Sequence, residues 1–278
     1  MSKIMTVKAQ QILTRNIARN YVSKDPVLSD QYLLISAGAF SGQNKIVTIA
    51  FPKHLVSIKN KGFYSCQYLS EVQLPHSVSE VGTEAFGECH RLRKVYISNS
   101  LEHIPNYCFR RDKKLHTVLF TPNSILTSIG TEAFCECSSL NSILLPPMVK
   151  EIGARAFYRC KSMKLVRFPE GLTSIGENAF YFCGIESLVL PQSLEELGDS
   201  AFFKCTSLLH VELPTGIRKL GKWVFHGCSR LKTLTIRHDP EEIGPWVCNR
   251  ATTIRCYEGS KMDAYCKEYE FSVEYLVD

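Results

Sequence analysis

Twelve cysteines are the residues of this 278-residue chain whose number first suggests chemistry. Thiolates bind zinc and thiols form disulfides, so the count points to a disulfide framework, to a metal site, or to buried thiols in a reducing compartment. The spacing of the cysteines distinguishes these cases. Seven of them follow a phenylalanine by three positions: Cys66, Cys89, Cys137, Cys160, Cys183, Cys205 and Cys228.

A cysteine that recurs in phase with a phenylalanine indicates a repeated core position rather than a reactive one. Such a position has no reason to supply the Cβ geometry that a disulfide needs, and Asp112 replaces the cysteine in one repeat. Cys135 and Cys137 form a C-x-C pair, but no second pair or histidine stands at a zinc-ligand spacing. We therefore predict buried free thiols, no metal site and no cofactor.

The sequence also lacks the short motifs of the common enzyme classes. It contains no C-x-x-C, H-E-x-x-H, G-x-S-x-G, G-x-G-x-x-G or phosphate-binding loop. The eight histidines do not cluster with acidic residues at a catalytic spacing. We predict that the protein is not an enzyme.

The phenylalanines define the repeated element that positions the cysteines. Around each of them a unit of the form L-x-x-V-x-L-P-x-x-L-x-x-I-G-x-x-A-F-x-x-C recurs, which is the sequence signature of stacked structural repeats. The steps between successive phenylalanines range from 22 to 25 residues, and the phenylalanines are Phe40, Phe63, Phe86, Phe109, Phe134, Phe157, Phe180, Phe202 and Phe225.

The unit predicts one strand followed by one tight turn. V-x-L has the period of a strand with one buried face, and the proline after it ends the strand because proline has no N–H to donate. The A-F-x-x-C stretch is expected to form a short helical or 3-10 turn that directs both side chains at the strand. A single unit cannot bury its own apolar side, so we expect about ten units to stack.

This repeat closely resembles the leucine-rich repeats of the BspA-like, or Treponema pallidum, type, which carry the same L-P, I-G, A-F and C positions. The resemblance covers roughly residues 32–256. It implies an α/β leucine-rich-repeat solenoid, right-handed and curved, with a parallel sheet on the concave face and the short turns on the convex face. Members of this family are commonly cell-surface or secreted proteins that bind macromolecules.

We expect one continuous domain with a cap at each end. Residues 31–256 are predicted as the solenoid, and residues 257–278 as a C-terminal cap whose helix begins after Ser260. Residues 1–30 are predicted as an N-terminal helical cap that packs through Leu13, Ile17 and Tyr21.

Two expectations about location follow from different features. No apolar run is long enough for a signal-peptide core or a membrane-spanning helix, which favours a cytoplasmic protein. The family resemblance instead implies the cell surface or secretion. The basic leader before Asp25 contains no acidic residue, and it also fits an organelle transit peptide.

Outward-facing strand residues of successive repeats form continuous columns, and on a solvated face these columns are normally polar. Here apolar residues occupy them in consecutive repeats, at Tyr96, Leu119, Leu144, Leu165 and Val189. An exposed apolar stripe indicates an interaction site, although a partly covered face with tolerated apolar residues would give the same pattern. Together with Arg93, Lys94 and Arg167, these residues are our candidates for a partner-binding site on the concave face.

Positive charge is concentrated between His90 and His116, although the net charge of the chain is only +6. Beside Arg93 and Lys94, this segment carries a basic patch of Arg91, Arg110, Arg111, Lys113 and Lys114. Such a field favours an acidic protein or an anionic polysaccharide, and the sparse aromatic residues disfavour nucleic acid. The alternative is an ordinary solvated surface.

The leading hypothesis is therefore a non-enzymatic binding scaffold that engages a protein partner through its concave face. The alternative, which the family resemblance implies, is a bacterial or protist cell-surface adhesin or host-interaction protein. A second alternative is a structural repeat segment within a larger assembly.

Overall fold

The computed structural model describes residues 8–277 as a solenoid of stacked turns. Two ladders of short parallel strands run along it, one formed at the I-G positions of the repeat and one at the V-x-L positions. The leucine-rich-repeat solenoid that the sequence predicts is confirmed. Helix contributes little to it, because the two α-helices lie at the ends, at Arg15–Ala18 (α1) and Lys261–Tyr269 (α2).

The Ile-Gly ladder marks every turn of the described chain. Its strands pair in parallel and in register, in a group of four followed by a group of seven. There are eleven turns by this measure, one more than the sequence predicts. The strands are Ile12–Leu13, Leu34–Ile35, Ser57–Ile58, Glu80–Val81, His103–Ile104, Ser128–Ile129, Glu151–Ile152, Ser174–Ile175, Glu196–Leu197, Lys219–Leu220 and Glu242–Ile243.

The V-x-L ladder is interrupted. In most of its strands the middle residue is buried and its neighbours face outward, as the alternation of the sequence predicts. The strands form three groups: Glu71–Gln73, Lys94–Tyr96 and Thr117–Leu119; Ser142–Leu144 and Leu165–Arg167; and His210–Leu213, Thr233–Ile236, Thr253–Cys256 and Val273–Tyr275.

The A-F-x-x-C stretch is not the helical or 3-10 turn that the sequence predicts. In the turn around Phe157, Arg155 and Arg159 have φ values of 54° and 58°, in the left-handed region, and equivalent residues repeat this in other turns. The N–H groups alternate in direction. Tyr158 donates within its own turn, to Arg155 O at 3.0 Å, whereas Phe157 and Arg159 donate to the next turn, both at 2.8 Å. A helix would keep these bonds within the turn, so the left-handed residues serve to link neighbouring turns.

The phenylalanines form the centre of the core. All nine are fully buried, and successive rings stack with centroids 4.8 to 5.6 Å apart and interplanar angles of 13° or less. Offset stacking at this separation contributes beyond the apolar area that it buries. The turn repeat of a parallel ladder, about 4.8 Å, is what brings each ring onto the next.

The repeated cysteines have a bonding role besides filling space. Each of the seven Sγ atoms lies 3.0 to 3.2 Å from the carbonyl oxygen of the core phenylalanine in the preceding turn, as Cys160 does toward Phe134. A thiol is a weak donor that is small enough for a packed interior, so it satisfies an acceptor there at little cost in volume. Throughout residues 8–277 the twelve cysteines are buried and free, as predicted.

Asp112 occupies the cysteine position of one turn and is fully buried. Its Oδ1 accepts a hydrogen bond from the Cys89 N–H at 2.7 Å, while its Oδ2 has no hydrogen-bond partner among the described residues. Burial raises the pKa of Asp112 well above its usual range, which favours the protonated carboxyl. A protonated carboxyl has an O–H to donate, as the thiol in the other turns has an S–H.

The helical cap predicted for residues 1–30 is helical only in part. Residues 1–7 lie outside the described part of the chain. Ala9–Gln11 form a 3-10 turn, and Leu13 lies in the first strand of the Ile-Gly ladder. Only α1 is helical, and Ala18 within it is buried. The ring of Tyr21 covers the end of the phenylalanine stack, with its centroid 6.2 Å from that of Phe40. The segment is therefore an incomplete repeat that closes the core.

The C-terminal segment agrees with the sequence pattern in detail. The Ser260 hydroxyl accepts the N–H of Asp263 at 3.1 Å and so caps α2, and a final strand at Val273–Tyr275 pairs with Thr253–Cys256. Tyr265 of α2 donates its hydroxyl to the Gly244 carbonyl at 3.1 Å, which ties the helix to the last Ile-Gly turn. The division of the chain at residues 30 and 256 stays a prediction.

Replacing Gly176 by alanine should destabilise the solenoid. A Cβ there would lie 2.7 Å from Ala154 N and 2.9 Å from Gly153 C, both main-chain atoms of the preceding turn. We expect the free energy of unfolding to fall by about 1–3 kcal/mol, because the turns must move apart. Gly171→Ala is the matched control, since its Cβ would make an ordinary contact of 3.6 Å with Pro147 O. If urea unfolding shows the same loss of unfolding free energy in both variants, the close approach of the turns at Gly176 is not the cause.

Replacing Asp112 by cysteine should stabilise the protein increasingly as the pH rises. The folded state holds a proton that the unfolded carboxyl releases above about pH 4, so wild-type stability falls with pH until the raised pKa is reached. The advantage of Asp112→Cys should therefore grow as the pH rises above the ordinary carboxyl pKa of about 4, by up to ~1.4 kcal/mol per pH unit, until the raised pKa of Asp112 is reached. A difference between the melting curves that is independent of pH would show that ionisation is not the cause.

Thiol labelling should find the cysteines unreactive in the folded protein. All twelve are buried, and burial raises the pKa of Cys228 and of Cys248 to about 12, so little thiolate is present near neutral pH. We expect negligible maleimide incorporation in the native state and twelve labels per chain in denaturant without reductant. A chain that remains largely unlabelled in denaturant would contain disulfides and would overturn the buried-thiol account.

Candidate functional site

Four exposed apolar side chains follow one another along the outward face of the V-x-L ladder. We call them the apolar stripe, and their exposed fractions are 40% for Leu119, 64% for Leu144, 43% for Leu165 and 78% for Val189. Leu119, Leu144 and Val189 occupy the x position of V-x-L in their turns, and Leu165 lies two residues before the x position of its own turn. Monomeric proteins rarely leave several neighbouring apolar side chains in solvent, so the stripe is the strongest candidate for an interaction site.

The ends of the stripe carry charge. Tyr96 pairs with Leu119 across the ladder, but it is half-buried, and the Lys94 Nζ lies 4.5 Å from its ring centroid. Arg167 is exposed and pairs with Leu144. The structure thus brings Tyr96, Lys94 and Arg167 next to the stripe, and it adds a cationic cover over Tyr96 that reduces the apolar surface there.

The breaks in the V-x-L ladder coincide with the apolar stripe. The strand pairing stops between Leu119 and Leu144, in the 25-residue repeat, which has two extra residues after the strand. It stops again on both sides of Val189, where the 22-residue repeat lacks one residue between Cys183 and the strand position. The Ile-Gly ladder stays paired in register through both repeats, so the change in length is accommodated next to the V-x-L strand.

The main chain around Val189 is consequently open. Glu186 still donates to the Lys164 carbonyl at 3.2 Å, but within the described part of the chain the N–H groups of Leu188, Val189 and Leu190 donate to no main-chain acceptor. Main-chain donors without a protein acceptor bind water or a partner. Sequence reasoning missed this opening, although the 22-residue step between Phe180 and Phe202 was its visible signal.

A shallow depression lies on each side of Val189. One is lined by Leu165, Phe168 and Pro191, and the other by Leu190, Leu213 and Pro214. Arg237 and Glu212 form an ion pair of 2.9 Å at the rim of the second depression. Apolar floors with a charged rim are typical of protein interfaces.

The structure divides the predicted basic patch into two parts. Arg110 and Arg111 directly follow Phe109 in the A-F-x-x-C stretch, which we call the phenylalanine arc. Glutamates of the neighbouring turns form ion pairs with them there. Arg110 is 3.1 Å from Glu132, and Arg111 is 3.2 Å from Glu88 and 3.6 Å from Glu136. Counting charge along the chain hid this neutralisation, because the three glutamates are close only once the turns stack.

Arg91, Lys113 and Lys114 lie elsewhere, in the links between the cysteine position and the V-x-L strand. Their side chains have no carboxylate within 4.0 Å among residues 8–277. The guanidinium carbon of Arg91 stands 4.4 Å from the ring centroid of Tyr68. Only this part of the patch presents unneutralised positive charge.

The remaining polar chemistry is sparse in the described residues. No three histidine, cysteine, aspartate or glutamate side chains between residues 8 and 277 are grouped so that they could hold a metal ion. Over the same range, no helix is both long and apolar enough to cross a membrane.

The family model that describes the BspA-type leucine-rich-repeat region, in six copies, matches residues 34–146 and 127–255. The chain belongs to the BspA-type leucine-rich-repeat family. No curated protein matches this chain with significance. Family membership accounts for the solenoid and is consistent with an interaction scaffold.

Solved structures of bacterial leucine-rich-repeat proteins are similar to this BspA-type chain. A Bacteroides ovatus protein aligns with a TM-score of 0.69 at 24% identity, over 87% of this chain and 64% of its own. The pneumococcal vaccine antigen PcpA aligns with a TM-score of 0.49 at 21% identity, over 92% of this chain and 79% of its own. The Treponema pallidum leucine-rich-repeat protein aligns with a TM-score of 0.39 at 22% identity, over 84% of this chain and 87% of its own. The chain thus spans less than two thirds of the Bacteroides structure, and that likeness supports the fold alone.

Proposed function

We propose that this protein is a binding scaffold that holds a protein partner on the outward face of the V-x-L ladder, centred on the apolar stripe. The family resemblance puts this face on the concave side of the solenoid. The single observation that supports the site most strongly is the exposure of Leu144 and Val189, 64% and 78%, beside the breaks of the ladder. Burying such side chains against a partner contributes about 25 cal/mol per Å² of apolar surface.

The charges near the stripe define the chemistry of the partner. Lys94 and Arg93 lie at one end and Arg167 lies within the same column as Leu144. None of these three has a carboxylate within ion-pair distance in the part of the chain that the structure describes. A segment with apolar side chains flanked by acidic residues is therefore the complementary partner, because charge at the rim speeds association and fixes register.

Introducing aspartate into the stripe should abolish partner recovery. In the double variant Leu144→Asp/Val189→Asp, two carboxylates would lie desolvated in the interface centre, and we expect recovery of the partner from source cells to fall by about tenfold or more. The measurement is a quantitative pull-down that compares each captured protein between wild type and variant.

Val22→Asp/Met148→Asp is the matched control, because these side chains are 60% and 50% exposed but lie off the stripe. It should recover the partner as wild type does. Equal recovery by the stripe variant, with an unchanged melting curve, would exclude the stripe as the binding site. Equal loss in both variants would indicate a nonspecific effect of added negative charge.

A surface adhesin is the second candidate function, and BspA-type membership is the observation that favours it. The same stripe would then bind a macromolecule outside the cell. Surface labelling of intact source cells distinguishes the two: labelled protein supports the adhesin, and recovery only in the cytosolic fraction supports the intracellular scaffold.

A further inference from the structure

In five consecutive turns, four residues link the cysteine position to the V-x-L strand. We call these links the loop edge. No residue of the loop edge is aspartate or glutamate, whereas six are lysine or arginine: Arg91, Arg93, Lys113, Lys114, Lys161 and Lys164. The links are residues 67–70, 90–93, 113–116, 138–141 and 161–164.

Main-chain hydrogen bonds hold several of these links in register. Arg93 N–H donates to Ser70 O at 2.8 Å, and His116 N–H donates to Arg93 O at 3.0 Å. Lys164 N–H donates to Asn141 O at 2.8 Å. Equivalent positions of neighbouring turns therefore lie side by side, about 4.8 Å apart along the solenoid.

Elsewhere on the surface this stacking neutralises charge. Arg218 lies 2.8 Å from Glu241 one turn away, and the final turns repeat the arrangement between Arg255 and Glu274 at 3.0 Å. On the loop edge like charge meets like charge instead, since Arg91 and Lys114 occupy the same position in successive turns. Like charges at equivalent positions of stacked turns repel each other, so this pair carries an electrostatic cost.

The cations of the loop edge are free to meet a ligand. Arg91, Arg93, Lys113, Lys114 and Lys161 are exposed, and no carboxylate of residues 8–277 comes within 4.0 Å of their charged atoms. At one end of the edge Lys164 pairs with Glu186 at 3.0 Å. The edge therefore carries unneutralised positive charge in three of its five links, at residues 90–93, 113–116 and 161–164.

We propose that the loop edge binds a linear anionic polysaccharide that lies along the solenoid axis. A linear polyanion that lies along the axis can meet the cations of three links, at residues 90–93, 113–116 and 161–164, and its binding relieves the repulsion between neighbouring cations such as Arg91 and Lys114. Hydroxyl and amide side chains alternate with the cations and suit the hydroxyl groups of sugars: Gln67, Ser138, Ser139, Asn141 and Ser162. This site contains none of the apolar residues of the protein-binding stripe, although it adjoins that surface at Arg93.

Other polyanions fit the loop edge less well. Single-stranded nucleic acid is bound through free aromatic faces, but Tyr68 is the one aromatic residue of the edge and the Arg91 guanidinium covers its ring. An acidic protein would need apolar anchors. The apolar residues of the five links are fully buried: Leu69, Leu92, Leu115, Leu140 and Met163.

The test is the affinity of the full chain for fluorescent heparin and for polygalacturonate, which distinguish sulfated from carboxylated polysaccharides, at about 0.15 M salt. We expect binding to at least one of them, and a weakening of about tenfold in Lys113→Ser/Lys114→Ser together with a shallower salt dependence. The matched control, Arg218→Ser/Lys219→Ser, removes the same charge from the Ile-Gly ladder and should change the affinity by less than about twofold. The stripe variant Leu144→Asp/Val189→Asp should retain binding of the polysaccharide.

Several outcomes would overturn the proposal. One is the absence of binding to both polysaccharides; another is an equal loss in the two serine variants, which would show that net charge alone is responsible. Tighter binding of a single-stranded oligonucleotide or of polyglutamate than of either polysaccharide would assign the edge to a different partner class. Melting curves equal to that of wild type confirm that the serine variants fold, and Lys113→Gln/Lys114→Gln is the second variant if they do not.

Discussion

Each turn of this solenoid depends on the next turn for the hydrogen bonds of its main chain. The dependence extends beyond the two strand ladders into the phenylalanine arc, where residues with positive φ aim every second N–H at a carbonyl of the following turn. Left-handed backbone costs an ordinary residue roughly 1–2 kcal/mol, yet Arg155, Glu132 and Trp223 all adopt it. The inter-turn bonds offset that cost, because an unpaired buried N–H or C=O costs a comparable amount. The same close stacking explains the glycine after the Ile-Gly strand, where the main chain of the preceding turn lies too close for a Cβ.

Strict register between turns also determines the surface. A side chain's nearest neighbours are those about one repeat away, so ion pairs such as Arg218–Glu241 and Arg237–Glu212 join residues more than twenty positions apart. Charge measured along the sequence is therefore a poor guide to the field that a partner meets. Arg110 and Arg111 belong to a basic run in the sequence and to a neutralised cluster in the structure, whereas Lys161, outside that run, belongs to the charged edge.

The repeat made most of the fold predictable, because the spacing of phenylalanine and cysteine determines which residues share a core position. It also predicted which strand residues face outward, including Leu144 and Val189. The conformation of the A-F-x-x-C stretch could not be predicted from the pattern. A helical turn, and a stretch whose main chain hydrogen-bonds to neighbouring turns, both place the phenylalanine and the cysteine in the core. The N-terminal segment misled for a similar reason: Leu13, Ile17 and Tyr21 fit a helical period, yet Leu13 pairs as a strand with the next turn. Pairing between turns outweighed local propensity there.

The breaks in the V-x-L ladder and the charged edge are linked through the lengths of the repeats. Repeats of equal length stack identical positions of the loop edge. Across the 25-residue and 22-residue repeats the pairing of the V-x-L strands stops, and main-chain N–H groups are open at Leu188 and Val189, although the Ile-Gly ladder stays paired there. The two surfaces meet at Arg93 and Lys94, which adjoin both the loop edge and the strand. Charges closer than the Debye length, about 10 Å at 0.1 M salt, influence each other. Lys113 and Lys114 lie at the start of their link, whereas Arg93 directly precedes the strand Lys94–Tyr96. Substituting the two lysines therefore separates polysaccharide binding from protein binding more cleanly than substituting Arg93 would.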